Sequence, residues 1–337
     1  MGETLPVGKL DMHLLTRLLQ SYTSIDERVA IGPKVGEDAA VLDFGDRYLV
    51  AKINPITFAT EEIGWYLVNV CVNNMVVRGV RPRWMLNTIL LPEGKTTAEM
   101  VEQIFRQIYQ ACSEVDVLII GGHTEVTFGL DRPLAVGCLI GEIERERLIP
   151  TGGAQPGDTV LVTKSLAIEG TAILAREKQE MLLRKGYDLE FIQRAQGFLY
   201  DPGISVYAEA LTAAETGVVH AMTDATEGGL ATALHELAEA AGVGLRIEAE
   251  SIPIRAETQK ICAEFGIDPL GLIASGMLIL TAPQQKADDL RRQLAERGLT
   301  CTAIGSITPS ENGRLLSVEG ELVELPYYAS DELTRAL

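Results

Sequence analysis

The sequence predicts an α+β chain of two domains, each a sheet with helices on one side. Three observations lead there. Strand-like apolar runs alternate with stretches of helical apolar spacing along the chain. At 337 residues, the chain is long for a single hydrophobic core. The stretch "PTGGAQPGD", residues 150–158, breaks the pattern with two prolines and three glycines, after which a new strand begins. The domains are expected at 1–150 and 151–337.

"LDMHLLTRLLQSY" has Leu10, Leu14, Leu15, Leu18 and Leu19 on one helical face. "GEDAAVLDFGDRYLVAKI" reads as two strands around a turn at Gly45-Asp46. From Glu61 to Arg78 the pattern is a helix that is apolar nearly all round, hence buried, with Gly79 at its C-cap and Pro82 just beyond. "RWMLNTILL" is a strand, and "TTAEMVEQIFRQIYQACSEV" is an amphipathic helix capped by Thr96 or Thr97. "DVLIIGGHTEVT" reads as a buried strand running into a glycine loop, and "PLAVGCLIGEI" as a further strand. In the second half "TVLVTKS" opens a strand. Helices are expected around 167–177, 203–215, 254–265 and 284–297, and strands near 244–248, 276–282 and 301–306. "HAMTDATEGGLATALHELAEAAG" is a strand end, a loop and a helix.

Composition narrows the function. Hydrophobic residues make up 47% and charged ones 23%, enough for a sizeable core. A net charge of −18 repels phosphate backbones and anionic membranes, so neither nucleic acid nor membrane is an expected partner. No apolar run is long enough to span a bilayer, and the N-terminus lacks a secretion signature. Five scattered cysteines with no C-x-x-C pair suit reduced thiols in cytoplasm.

Several stretches carry candidate chemistry. In "GGHTEV" the glycines Gly121 and Gly122 could let backbone N–H groups approach a phosphate, with His123, Thr124 and Glu125 as polar ligands; a plain turn is the alternative. In "TDATEGGLATAL" Asp224, Thr226 and Glu227 precede Gly228 and Gly229 at a helix start, which suits either an anion site or an N-cap by Thr226 or Asp224. "VGEDAAV" puts Glu37 and Asp38 at the start of a strand, where Asp38 could ligate a hard cation or simply lie in a solvated turn; Lys52 follows on the neighbouring strand. Asn54 sits before Pro55 at a strand's end, a common place for a metal-holding carboxylate, and Asn69, Asn73 and Asn74 lie on the apolar helix. A buried amide must be hydrogen-bonded, so the asparagines read as an amide network or as a ligand pocket. His13, His220 and His235 show no metal spacing.

Together "VGEDAAV", "PITFATEEIGWYLVNV", "GVRPRW", "GGHTEV", "TKSLAIEGTAILA", "TDATEGGLATALHELAEAAGVGL" and "GIDPLGLIASG" resemble the AIR synthase (PurM-like) superfamily. The closest branch is the AIR-synthase-related proteins similar to the hydrogenase-maturation protein HypE. The resemblance implies a PurM-like α/β fold. Its N-terminal domain has a mixed or mostly antiparallel sheet that pairs with a second copy into a homodimer, and its C-terminal domain is α/β. It implies ATP in the cleft between domains, Mg²⁺ between the phosphates and N-domain carboxylates, and phosphoryl transfer to an amide- or carbonyl-type oxygen. Position by position, Asp38 matches a metal-side aspartate. Asn54 and Asn74 fall where relatives carry Asp, so metal binding there is expected to be weakened. His123 occupies a variable slot open to metal or phosphate. Thr226, Glu227, Gly228 and Gly229 match the phosphate-side loop, and Glu169 and Gly170 another cleft segment.

Two departures qualify this. The chain ends "SDELTRAL" with Cys301 far from the end, so the HypE terminal-cysteine chemistry is not expected. Asn54 and Asn74 remove two charges from the metal side, and magnesium favours carboxylates and phosphates over amides. An ATP-dependent enzyme with fewer or altered metal ions is the first expectation. A catalytically weak homologue that binds a nucleotide or phosphometabolite, with a regulatory or partner-binding role, is the second.

Overall fold

The computed structural model describes residues 5, 10–24, 26–33, 39–57 and 61–337. It divides into two compact units, one running to Leu148 and a larger one holding Ile149–Leu337. The first helix, α1 (Met12–Tyr22), groups with the larger unit and starts where Asp11 accepts the Leu14 N–H at 3.0 Å.

The smaller unit is a six-stranded sheet under two helices. Its elements are β1 (Val29–Ile31), β2 (Ala40–Asp43), β3 (Arg47–Ile56), α2 (Ile63–Val76), β4 (Arg81–Pro92), α3 (Ala98–Glu114), β5 (Leu118–Thr127) and β6 (Leu134–Glu144). The strand order is β1-β2-β3-β6-β4-β5, with only β4 and β5 parallel. The β2–β3 turn falls at Gly45, whose φ of 93° suits glycine. Helix α2 is buried on nearly every side, as its apolar pattern requires, and lies along β3 and β6. Glycine permits this close contact. A Cβ on Gly137 would stand 2.9 Å from the Cys71 sulfur, and one on Gly64 would stand 2.6 Å from the Ile104 carbonyl of α3. The Gly64 N–H donates to Gln107 Oε1 at 3.1 Å, which locks α2 to α3.

Strand β5 corrects the sequence reading. It is neither buried nor followed by a glycine loop. It is the outermost strand, exposed from Leu118 to Val126, and it runs straight through Gly121 and Gly122. An apolar run looks the same in a core strand and in an open edge, so composition could not separate them. Gly122 serves close approach rather than a turn: a Cβ there would lie 2.2 Å from the Asn87 carbonyl oxygen. The sheet face away from α2 is also open, with Ile53 65% and Leu86 36% exposed.

The larger unit contains β7 (Asp158–Thr163), α4 (Ile168–Glu177), α5 (Gln179–Arg184), α6 (Leu189–Gly197), α7 (Tyr207–Glu215), β8 (Ala221–Asp224) and α8 (Gly229–Ala241). There follow β9 (Gly244–Glu248), α9 (Ala256–Phe265), β10 (Leu278–Pro283), α10 (Gln284–Glu296), β11 (Cys301–Thr308), β12 (Arg314–Val318), β13 (Glu321–Glu324) and α11 (Leu333–Ala336). The sheet order is β13-β12-β9-β11-β7-β10-β8, antiparallel except for β9 and β12. Strands β7 and β10 are buried almost throughout. The five cysteines are free thiols. Among the described residues, no helix is long and apolar enough to cross a membrane.

Candidate functional site

In the smaller unit the strand register gathers the amides. Asn54 on β3 stands opposite Gly137 on β6, Gly137 opposite Asn87 on β4, and Asn87 opposite Gly122 on β5. All four face α2. Asn54 Nδ2 donates to Asn74 Oδ1 on that helix at 3.3 Å, so the two positions that sequence reading linked are in contact. Lys52 lies two residues back on the same face of β3, near enough to Cys71 to pull its thiol down. Burial dominates and pushes that thiol up to about 12. Asn69 is used locally, donating to the Trp65 carbonyl at 3.0 Å. Arg78 is fully buried just past α2. Asn87 was not singled out from the sequence, because its place beside the other amides depends on register across three strands.

His123 and Glu125 fall on the other face of the sheet, opposite Thr88 and Leu90, and are paired with each other at 3.1 Å. The structure therefore does not bring His123 to the asparagines, while Thr124 is on the α2 side. Gly121 and Gly122 are strand residues and form no phosphate loop. Asp38 lies outside the described residues.

The metal expectation can be tested on the amide pair. Asn54 and Asn74 are neutral, and one donor and one acceptor are already spent on each other. Two carboxylates at that separation would repel unless a cation or a proton stood between them; an amide can donate to an amide without either. This pair does not fit Mg²⁺. Among the described residues, no group of three or more His, Cys, Asp or Glu side chains is arranged to hold a metal ion.

In the larger unit the quoted motifs converge on one short segment, Ile273–Ser275. The Gly170 N–H donates to the Ile273 carbonyl at 3.0 Å, and the Ala274 N–H to the Thr226 carbonyl at 3.3 Å. The Ser275 N–H donates to Glu169 Oε2 at 3.1 Å. Helix α8 begins at Gly228 and Gly229, both with positive φ, and has no side-chain cap from its own loop. Neither Thr226 nor Asp224 caps it, contrary to the sequence reading. Asp331, from the C-terminal segment, accepts the Gly228 N–H at 2.6 Å and the Ile273 N–H at 3.2 Å. Gly228 and Gly229 are buried, while Thr226 and Glu227 are half-exposed and form the accessible part of the loop. Lys164, from the "TKS" motif, is held by Glu209 at 3.1 Å and by the Gly203 and Ser205 carbonyls. The remaining histidines that pair do so within this unit: His220 with Asp158 at 2.9 Å, and His235 with the Leu325 and Pro326 carbonyls at 3.2 Å.

Burial controls the charge here. It pushes Glu169 up to about 7 against the pull of the Ser275 hydrogen bonds, with Asp331 and Asp224 adding to the rise. It pushes Asp331 up to about 6 although three backbone N–H groups oppose it. Both carboxylates are disfavoured as anions by the fold.

These units define an AIR synthase related protein. The family model "AIR synthase related protein, N-terminal domain" matches residues 36–143, and its C-terminal counterpart matches 155–317. The chain belongs to that family. It is 30% identical over 306 residues to a putative hydrogenase expression/formation protein of Methanocaldococcus jannaschii, covering 88% of this chain and 87% of that one. It is 32% identical over 244 residues to carbamoyl dehydratase HypE of Rhodobacter capsulatus, covering 72% and 67%. The solved hydrogenase maturation protein HypE in complex with ATP superimposes with a TM-score of 0.68 at 24% identity, covering 98% of each chain. The PurM-like two-domain fold expected from the sequence is thus the fold observed.

Glu169→Gln tests the electrostatic account. Because the folded-state pKa of Glu169 is raised, its favourable contribution is full below the ordinary glutamate value and is lost as pH rises through about 7. Gln keeps an acceptor for the Ser275 N–H but cannot ionise. At pH 8 the variant should melt higher than the parent by roughly 5 °C, reflecting a penalty on the order of 2–3 kcal/mol. At pH 4 the two should melt together. Equal melting temperatures at both pH values would refute the burial penalty.

Proposed function

We propose that this chain binds ATP and transfers its terminal phosphoryl group to an amide- or carbonyl-type oxygen of a small molecule or a protein group. The observation that carries the reading is the convergence of two segments, the first turn of α4 and the loop before α8, on a third, Ile273–Ser275. The three are built from the "IEG", "TEGG" and "GLIAS" stretches within the matched C-terminal domain. Supporting it, one relative of the same fold is solved with ATP, and another is named for chemistry on a carbamoyl group, whose oxygen is of the amide type. Phosphate contact falls to the half-exposed Thr226 and Glu227 end of the loop. No step is assigned to a metal.

One observation favours a second reading, a nucleotide- or phosphometabolite-binding homologue that regulates or binds a partner and turns over weakly. The Asn54–Asn74 pair has no charge with which to hold a cation, and phosphoryl transfer ordinarily relies on one. In either reading the protein works as a homodimer, joined through the open apolar face and edge of the smaller unit's sheet. Leu118, Ile120 and Val126 on β5 lie there with Ile53 and Leu86. Free, scattered thiols suit a reducing, cytoplasmic setting.

Equilibrium dialysis should retain ATP or ADP at millimolar nucleotide with and without divalent ions; retention in neither condition sinks both readings. The double variant Asn54→Asp, Asn74→Asp should bind Mg²⁺ about tenfold more tightly by calorimetry, because two charged oxygens replace two neutral ones. ATP hydrolysis that appears only in this variant would select the second reading; hydrolysis by the parent chain would select the first. Native mass measurement should give twice the chain mass, and Ile53→Asp should give a monomer with unchanged circular dichroism. A monomeric parent chain would remove the dimer.

A further inference from the structure

The chain beyond β13 is fastened in turn to β12, to α8 and to the loops before α8 and β10. The Leu325 N–H donates to the Arg314 carbonyl at 2.9 Å. With its proton on Nε2, His235 of α8 donates to the carbonyls of Leu325 and Pro326, and its Nδ1 accepts from Arg314 at 3.2 Å. Tyr327 stands edge-on to the same imidazole, with ring centroids 5.7 Å apart. The Tyr328 ring fills the space that a side chain at Gly271 would need, and its hydroxyl donates to Asp268 Oδ2 at 2.6 Å. The Glu332 N–H donates to the Gly271 carbonyl at 3.1 Å, and its carboxylate accepts the Asp268 N–H at 2.9 Å. Leu333 is wholly buried.

Asp331 lies at the centre of this strap and is 1% exposed. One oxygen accepts from Gly228, the first residue of the α8 cap, at a sequence separation of 103. The other accepts from Ile273 at a separation of 58 and from its own neighbour Leu333. A carboxylate with three backbone donors is a strong bridge, here between the α8 cap and the segment before β10. It also occupies the Gly228 N–H that the glycine motif, read alone, would offer to a phosphate.

We propose that Asp331 is a positioning residue of the candidate nucleotide site. It fixes the α8 cap against Ile273–Ser275, so that Thr226 and Glu227 are presented in one geometry, and it does so without touching the ligand. This rests on the nucleotide-binding reading above. It adds the C-terminal strap to the site as a fourth component, beyond the three motif segments.

The test uses the full chain and ATP. Calorimetric Kd, thermal midpoint and hydrogen exchange of peptides covering 226–229 and 268–275 are measured for the parent, Asp331→Asn and Asp331→Glu. In Asp331→Asn an NH₂ group must face one of the backbone donors. Exchange at 226–229 or at 268–275 should accelerate while β7 and β10 stay protected, and ATP should bind about tenfold more weakly, the equivalent of one lost hydrogen bond. Asp331→Glu restores the charge and both acceptors and should recover most of the affinity. An Asp331→Asn chain that binds ATP as tightly as the parent overturns the proposal, and one that binds more tightly shows a competing anion instead. A parent chain that binds no ATP fails the nucleotide reading itself, and the proposal with it, before any variant is compared. Should neither Asp331 variant fold, Tyr328→Phe loosens the strap through Asp268 alone. Weaker ATP binding by about threefold is then expected, and an unchanged Kd overturns the proposal.

Discussion

Buried backbone N–H groups must find acceptors, and in the larger unit that one requirement organises everything around the candidate site. The loops before α8 and before β10 turn sharply through glycines and leave donors pointing inward. Two of these donors are taken by side chains: Ser275 by Glu169, in the first turn of α4, and Gly228 by Asp331, at sequence separations of 106 and 103. Each side chain closes a loop that local sequence leaves open. A shorter-range solution was available in Thr226, a good capping residue. The structure instead puts the Thr226 carbonyl to work on Gly229 and Ala274 and leaves its side chain half-exposed.

Using carboxylates for this purpose has an electrostatic consequence. A neutral acceptor would satisfy a backbone N–H without a charge to desolvate. Glu169 and Asp331 are both buried and lie close enough to other acids to be raised by them: Glu169 by Asp331 and Asp224, Asp331 by Glu227. Backbone hydrogen bonds pull each pKa down, burial pulls harder, and the two groups reach about 7 and about 6. Near neutral pH they present less negative charge than two ordinary carboxylates would. That lowers the local negative charge in a chain whose net charge is −18. Lys164 does not supply compensation, since its ammonium is enclosed by Glu209 and two carbonyls.

What the sequence made legible was whatever a local pattern could carry. Helix α2 was plain from its apolar composition, and the β2–β3 hairpin from Gly45. The loop-to-helix step at Gly228–Gly229 was visible, as was the shared character of Asn54 and Asn74. What it hid was set by distance along the chain. Asp331 sits in a polar C-terminal stretch with no periodicity, and only the fold brings it to Gly228. Asn87 looks like an ordinary strand residue until register aligns it with Gly137 and Gly122. Strand β5 was misread because "VLIIGGHTEV" has the composition of a core strand, while its position outermost in the sheet makes it an open edge. Helices α5 and α6 and strands β12 and β13 passed unnoticed: they are short, and β12 and β13 form the polar-edged rim of their sheet.

The amide pair shows how a charged pair and a neutral pair can share one backbone while asking for different surroundings. At the 3.3 Å that separates Asn54 Nδ2 from Asn74 Oδ1, two carboxylate oxygens would need a cation or a shared proton, so the backbone would be stable only with its ligand. An amide carries both donors and an acceptor, so Asn54 can donate to Asn74 directly. The contact between β3 and α2 then no longer depends on an ion. Lys52, on the same strand face, remains as the positive charge in that neighbourhood.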